Sequence, residues 1–373
     1  MASPPTIDLS RSLGIMERAL AEAHILRDSQ RENVRLKAED LRQRRDVWQS
    51  VPFRLMLEAN RRCNVKCLHC DIERGGTGDL PLPLIEGLMQ DVGWGSMEIM
   101  PFVGGEPTLA PMEELAALAR RHNNYLNFIT NGLLFTRRYH AAIADVTARV
   151  HFSCHSHRPE LHRRIMPGVD FATVTRNIRD AAELGDEHGT QVLLGAVVMA
   201  SNLPDLADYV RFAAGLGVRR IILQKLYPWT KAFAEEGVDG RLPPDEVRGH
   251  VRRALDAALE LGVFLETNVD EAFGDPRIVN PHDSPFDILQ ENSHVVELFH
   301  PGFCISTAVT VRVEWDGTVL PCCRDQIVIG NLHERPFLEI WNGPEMQQLR
   351  RTFFERQLRP YCARCMAFYN GHA

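Results

Sequence analysis

Three cysteines, Cys63, Cys67 and Cys70, fall within eight positions in the stretch "RRCNVKCLHCDIE" of residues 61–73. Cysteines so spaced suit a metal, but three is one short of the four ligands of a closed structural zinc site, and disulfide frameworks come in pairs. A cubane [4Fe–4S] cluster has four irons, and each normally takes one thiolate. Three thiolates leave one iron open to an outside ligand, and an open position separates a reactive centre from a structural one. The competing reading is a zinc site completed by His69 or Asp71.

A second group lies near the other end of the chain. Cys304, Gly317 and Cys322 have the form C-x12-G-x4-C, and Cys362-Ala-Arg-Cys365 follows. With the glycine at a hairpin turn, the first two cysteines flank the hairpin and can converge. Four thiolates close a second cubane with no open iron, or a tetrahedral zinc site. Cys323 is left over and could stand in for Cys322. Cys154 belongs to neither group. Nine cysteines, all but Cys154 in two groups, in a chain expected to be intracellular, favour metal over disulfides.

The elements that must hold these residues follow from the apolar pattern. Strand-like runs occur at 53–59, 97–103, 125–130, 148–154, 191–199 and 219–224. Helix-compatible stretches separate them, and every interval is long enough for a parallel crossover. The expectation is an α/β fold: a parallel sheet curved into a partial (β/α)6, TIM-like barrel, with its chemistry at the carboxyl ends of the strands. The three cysteines follow the first run, "GGEPT" (104–108) the second, "TNG" (130–132) the third and "SCHSH" (153–157) the fourth. Asn202 lies past the fifth run and "QKLYPW" (224–229) closes the sixth. All of them reach one rim.

Residues 1–50 read as an N-terminal helical arm whose charge run, Arg27 to Asp46, is a solvated face. Residues 51–235 are the barrel core and 236–300 a helical and loop linker. The linker contains a helix entered at Pro243-Pro244 and ended by Gly262. Residues 301–373 form a small hairpin and helix domain. In "AVTVRVEWDGTVLPCC", Val309, Val311, Val313 and Trp315 share one face and Asp316-Gly317 makes the tight turn.

C-x3-C-x2-C with His69 before the last cysteine, joined to Gly-Gly-Glu-Pro after the second strand, resembles the radical S-adenosylmethionine (SAM) family over about residues 51–230. The resemblance implies that SAM chelates the open iron through its methionine amino and carboxylate groups. One electron then cleaves a carbon–sulfur bond, and the resulting 5′-deoxyadenosyl radical takes hydrogen from unreactive C–H bonds. It places Gly104, Gly105, Glu106 and Pro107 at the methionine amino end and Ser153 near the ribose or carboxylate. Asn202 and Leu226 match contacts on later strands. Relatives often have an arginine near the cofactor carboxylate. In "LHRRIMPG" that is Arg164 or its neighbour Arg163, unless Met166 takes the slot. The resemblance also implies an external one-electron reductant of the flavodoxin or ferredoxin type.

The C-terminal "DGTVLPCC", "IGNL", "FLEIWNGPEMQQLR" and "CARC" resemble the SPASM/twitch extension of these enzymes. The short tail implies the twitch form, with Cys304, Cys322, Cys362 and Cys365 around one auxiliary [4Fe–4S] cluster. The expected reaction is two-electron oxidation of a small polar metabolite, a sugar or aminocyclitol, with the second electron passing to that cluster. The alternatives are a peptide-modifying enzyme and an epimerase in which Cys154 donates a hydrogen atom. His155, His157 or Lys225 could be a base by position. A different class altogether is a non-catalytic iron–sulfur sensor or scaffold.

Composition sets the outer limits. The 373 residues carry a net charge of −7, with 45% apolar and 24% charged residues. That is ordinary for a globular protein and unlike a nucleic-acid binder, which needs a basic face. Residues 1–12 lack the apolar core of a signal peptide, and no window approaches a membrane span. The expectation is a cytoplasmic protein with no membrane or nucleic-acid partner.

Overall fold

The computed structural model describes residues 26–70, 78–101, 104–227, 230–267, 269, 306–322, 327–355, 357 and 359–363. Seven parallel strands form its centre: β1 (Arg54–Leu57), β2 (Glu98–Met100), β3 (Tyr125–Thr130), β4 (Thr147–Ser153), β5 (Gln191–Val198), β6 (Arg220–Lys225) and β7 (Phe264–Thr267). The helices are α1 (Asp28–Arg42), α2 (Leu82–Val92), α3 (Met112–His122), α4 (Arg137–Ile143), α5 (Pro159–Ile165), α6 (Phe171–His188), α7 (Leu206–Gly215), α8 (Phe233–Glu236) and α9 (Pro244–Leu261). Then come α10 (Ser306–Val309), β8 (Thr310–Val313), β9 (Thr318–Leu320), β10 (Gly330–Asn331), α11 (Phe337–Trp341) and α12 (Pro344–Phe354). Among the described residues, no helix is long and apolar enough to cross a membrane.

Six strands stand where the apolar runs put them, and β7 adds a seventh inside the expected linker. The C-terminal hairpin does not stand apart either. β8 pairs in parallel with β1, Arg54 beside Thr310 through Leu57 beside Val313, so one sheet runs in the order β10-β9-β8-β1-β2-β3-β4-β5-β6-β7. Gly317 turns the hairpin at φ +80°, and the Thr318 N–H donates to Asp316 Oδ1.

Strand alternation separates two faces. On β4, Val150 and Phe152 point into the helix layer and are fully buried, while Arg149, His151 and Ser153 line the concave face and stay half-buried. Parallel register carries that face across the sheet: Arg149 sits beside Gln191, and Ser153 beside Gly195. Near the amino ends of the strands a polar belt closes the concavity. Arg54 and Asn127 donate to Glu98, and Arg149 and Arg220 both donate to Gln191 Oε1. The opposite end, at the strand carboxyl termini, is where the rim residues gather.

The N-terminal helix departs from its expected role. Gln30, Asn33, Lys37 and Asp40 form a buried polar stripe along α1. Asn33 donates to the Val51 and Gly95 carbonyls, and Asp40 accepts from Ser50 N and Oγ. One face of this segment is therefore packing surface: polar side chains bond backbone groups of the loops that α1 covers. Lys37 is different. Its Nζ has no hydrogen-bond partner and lies 4.4 Å from the Trp48 ring and 5.1 Å from that of Trp341. Arg350 stacks on the same two indoles. Burial, and then the neighbouring guanidinium, hold the Lys37 amine well below its ordinary pKa.

The unfolded chain binds that proton over the whole interval between the lowered folded pKa and the unfolded lysine value of about 10.4. Stability should therefore climb with pH across this interval. Lys37→Met should raise unfolding free energy by about 1–2 kcal/mol near neutral pH and flatten the climb, read from urea melts across pH.

Candidate functional site

The cysteine loop and the Gly-Gly-Glu-Pro turn are stitched together by backbone and amide bonds. Asn60, just past β1, donates from Nδ2 to the Glu106 carbonyl (2.9 Å) and accepts from the Arg62 N–H (2.7 Å). The Glu106 N–H donates in turn to the Arg62 carbonyl at 2.8 Å. Asn131, at the end of β3, donates to Asn64 Oδ1 at 2.7 Å. The far side of the loop is pinned where the Leu68 N–H donates to the Ile165 carbonyl, at the end of α5.

Gly104 adopts φ +93°, and a Cβ there would fall 2.1 Å from Glu58 Oε1. A Cβ on Gly105 would fall 2.4 Å from Asn60 Oδ1. Both glycines are thus set by close approach, the first also by its backbone angle. Glu106 is buried with four donors converging on its carboxyl. Oε1 takes Thr108 N, Thr108 Oγ1 and Thr130 Oγ1, and Oε2 takes Asn131 N. Burial pushes this carboxyl up and the four donors pull it back. Pro107 opens the single 3-10 turn that follows.

Cys63 is exposed and Cys67 and Cys70 are half-buried, and the described cysteines form no disulfide. Among the described residues, no three His, Cys, Asp or Glu side chains converge as one metal ion needs. A cubane gives each thiolate its own iron, and three thiolates from one loop suit that donor set. Ser153 faces the concavity at the end of β4, and Leu226 is buried just past β6.

The side chains of the other expected residues are engaged differently. Arg164 points outward, with its side chain 57% exposed and paired to Glu236 at 3.1 Å, and Arg163 is exposed beside it. Both lie on the solvent stripe of α5, whose other face buries Leu161, His162 and Ile165. Asn202 is an internal staple: Nδ2 donates to the His155 and Val197 carbonyls, and Oδ1 accepts from Met199 N. Cys154 continues the Val150–Phe152 side of β4, away from the concavity. It is fully buried, its thiol meets the Ser156 carbonyl at 3.5 Å and His162 Nδ1 at 3.8 Å, and burial raises its pKa to about 12. Strand alternation turns it from the rim, so it is not positioned as a hydrogen donor there.

The base candidates divide similarly. His155 accepts from Val197 N and packs edge-on to His69 at 4.4 Å, and burial holds it neutral. His157 lies against the Phe212 ring, and Lys225 pairs with Asp239 at 3.6 Å. Two concave-face residues went unread in the sequence. Glu58 follows β1 directly, accepts from Trp315 N, and so ties the rim to the C-terminal hairpin. His151 lies below Ser153, its ring over Gly195, with its pKa lowered to about 4 by burial and then Arg149. Period-two spacing along β4, Arg149-His151-Ser153, was the signal for the second.

Cys322 follows β9 by two residues, and Cys362 lies in a helical turn at 360–363. Cys304, Cys323 and Cys365 lie outside the described residues. The family models match in two places: the radical SAM superfamily over residues 57–213 and the SPASM iron–sulfur cluster-binding domain over 304–366. The chain carries a radical SAM domain joined to a SPASM domain. The first binds SAM and a [4Fe–4S] cluster, and the second binds auxiliary iron–sulfur clusters.

The chain is 28% identical to an Fe-coproporphyrin III synthase of Methanosarcina barkeri, over 75% of this chain and 71% of that protein. It is 27% identical to a PqqA peptide cyclase of Rhodopseudomonas palustris, over 48% of each. In fold it is similar to SuiB of Streptococcus suis, solved with precursor peptide SuiA, at TM-score 0.60 and 18% identity over 86% of this chain and 71% of that one. It is also similar to anSMEcpe, solved with AdoMet and a peptide, at TM-score 0.57 and 20% identity over 85% and 87% of the two chains.

Glu106→Gln tests the stitching. The carboxamide sets an N–H₂ against at least one buried donor, so urea unfolding should lose about 1–3 kcal/mol. An unchanged midpoint would mean that the four contacts do not hold the turn.

Proposed function

We propose that the protein is a radical SAM enzyme that oxidatively modifies a peptide. In this reading Cys63, Cys67 and Cys70 hold the reactive cluster, and the turn of Gly104, Gly105, Glu106 and Pro107 receives the methionine amino end of SAM. Ser153 and Leu226 meet the rest of the cofactor. Cys304, Cys322, Cys362 and Cys365 hold an auxiliary cluster that takes the second electron. Asn202 braces the backbone of His155 beside the cysteine loop, and Arg164 lies on the surface of α5. Bound there, the cofactors supply the carbon radical that removes hydrogen from substrate.

The observation that carries this reading is the three-cysteine loop, stitched to the glycine turn at the mouth of a concave face. That face offers Arg149, His151 and Ser153 as hydrogen-bonding groups. The peptide follows from the name of the PqqA peptide cyclase, and the SuiB and anSMEcpe peptide complexes agree with it. The sugar or aminocyclitol expected from sequence gains no support from these relatives. A second reading, an iron porphyrin, rests on the M. barkeri relative, which matches more of the chain.

Anaerobic protein reconstituted with iron and sulfide, given SAM and dithionite, should form 5′-deoxyadenosine, and Cys67→Ala should form none. No deoxyadenosine from the wild type would overturn the enzyme reading in favour of a sensor or scaffold. Added peptide pools should stimulate the reaction, with a two-hydrogen mass loss in one component. Stimulation by iron porphyrins alone would replace the peptide.

A further inference from the structure

A buried N–H beside the cysteine loop has no acceptor among the described residues. It belongs to His155, which follows β4 by two residues and is 4% exposed. The Val197 N–H donates to its Nδ1 at 3.0 Å, so that nitrogen holds the lone pair and Nε2 carries the proton. The two nitrogens of an imidazole point in widely different directions. With Nδ1 turned to β5, the Nε2–H points away from that strand. Nε2 is sealed from solvent and finds no hydrogen-bond partner among the described residues. The ring meets His69 edge-on with centroids 4.4 Å apart, and His69 directly precedes Cys70. Its backbone is fixed as well: Asn202 Nδ2 donates to the His155 carbonyl at 2.8 Å and to the Val197 carbonyl at 2.9 Å. A donor held this firmly and cut off from water costs its full desolvation unless an acceptor meets it.

We infer that His155 tunes the reactive cluster, its Nε2–H donating to a cluster sulfur beside Cys70. The inference rests on the proposed function in one respect, that Cys63, Cys67 and Cys70 hold that cluster. Thiolate and sulfide sulfurs are anionic acceptors, and each gains negative charge when the cluster is reduced. A donor aimed at one of them stabilises the reduced form and raises the reduction potential. The donor is preorganised from the β5 side: Val197 sets the tautomer and the ring direction, and Asn202 holds the backbone, so neither depends on the cysteine loop. Asn202 thereby acquires a role in the site without touching the cofactor. It is a positioning residue that acts through His155.

The test uses the full chain carrying Cys322→Ala and Cys362→Ala, so that one cluster is read, reconstituted anaerobically with iron and sulfide and kept free of SAM. A redox titration followed by electron paramagnetic resonance gives its potential. His155→Phe keeps a ring against His69 and removes the donor. It should make reduction about tenfold less favourable, a fall of about 59 mV for one electron, and shift the g-values. His155→Gln, whose amide can accept from Val197 N and donate onward, should recover most of the change. An unchanged potential in His155→Phe, or equal falls in both variants, would overturn the inference. So would an effect confined to SAM affinity, which would assign the donor to the nucleotide. Should His155→Phe not retain iron, His155→Gln decides: a wild-type potential supports the donor and a displaced one overturns it. A signal indifferent to added SAM, with the His155→Phe shift still present, would overturn the proposed function alone.

Discussion

The site depends on the buried carboxyl of Glu106. Four donors from two chain segments, Thr108 with Thr130 and Asn131, meet on its two oxygens. A carboxylate sealed from water is costly unless its lone pairs are filled, so the turn after β2 and the end of β3 are held in one arrangement. Asn60 and Asn131 extend that arrangement to the cysteine loop, bonding Glu106 and Asn64 in turn. The thiols thus sit on a loop that has little secondary structure of its own but is fixed at several points by the sheet beneath it. Precise placement of a reactive group by side chains that are themselves bonded is what such chemistry requires.

Continuity of the sheet links the two family domains. Because β8 pairs with β1, the hairpin leading to Cys322 is part of the surface from which the Cys63 loop departs. Glu58 accepts from Trp315, whose ring covers Gly78, and Arg61 stacks on that ring at 5.9 Å. On the other side α11 and α12 close against α1 through Trp341, Arg350 and Lys37. The described part of the C-terminal unit is therefore held at both flanks of the barrel.

Much of this was legible in the sequence where the signal is local. Apolar runs located six strands, Gly262 and Pro244 bounded α9, and Asp316-Gly317 gave the hairpin turn. Cysteine spacing and the glycine turn identified the cofactor chemistry, because metal number and backbone approach are written in residue type. What stayed hidden depends on direction. Arg164 and Cys154 had suitable chemistry near the rim, but helix periodicity sends the first to solvent and strand alternation sends the second into the core. Asn202 looked like a contact and is consumed by three backbone groups, a matter of tertiary geometry alone. The buried stripe of α1 was misread because polar side chains that bond loop backbone look, in sequence, like a solvated face.

The central claim is that three thiolates of one loop hold an iron cluster whose fourth iron is kept for SAM. Electron paramagnetic resonance of the dithionite-reduced chain, in a variant with Cys322 and Cys362 replaced by alanine, isolates that cluster. One cubane signal is expected, with g-values that shift on adding SAM. A signal indifferent to SAM, or an anaerobically purified protein carrying zinc in place of iron at Cys63, Cys67 and Cys70, would contradict it.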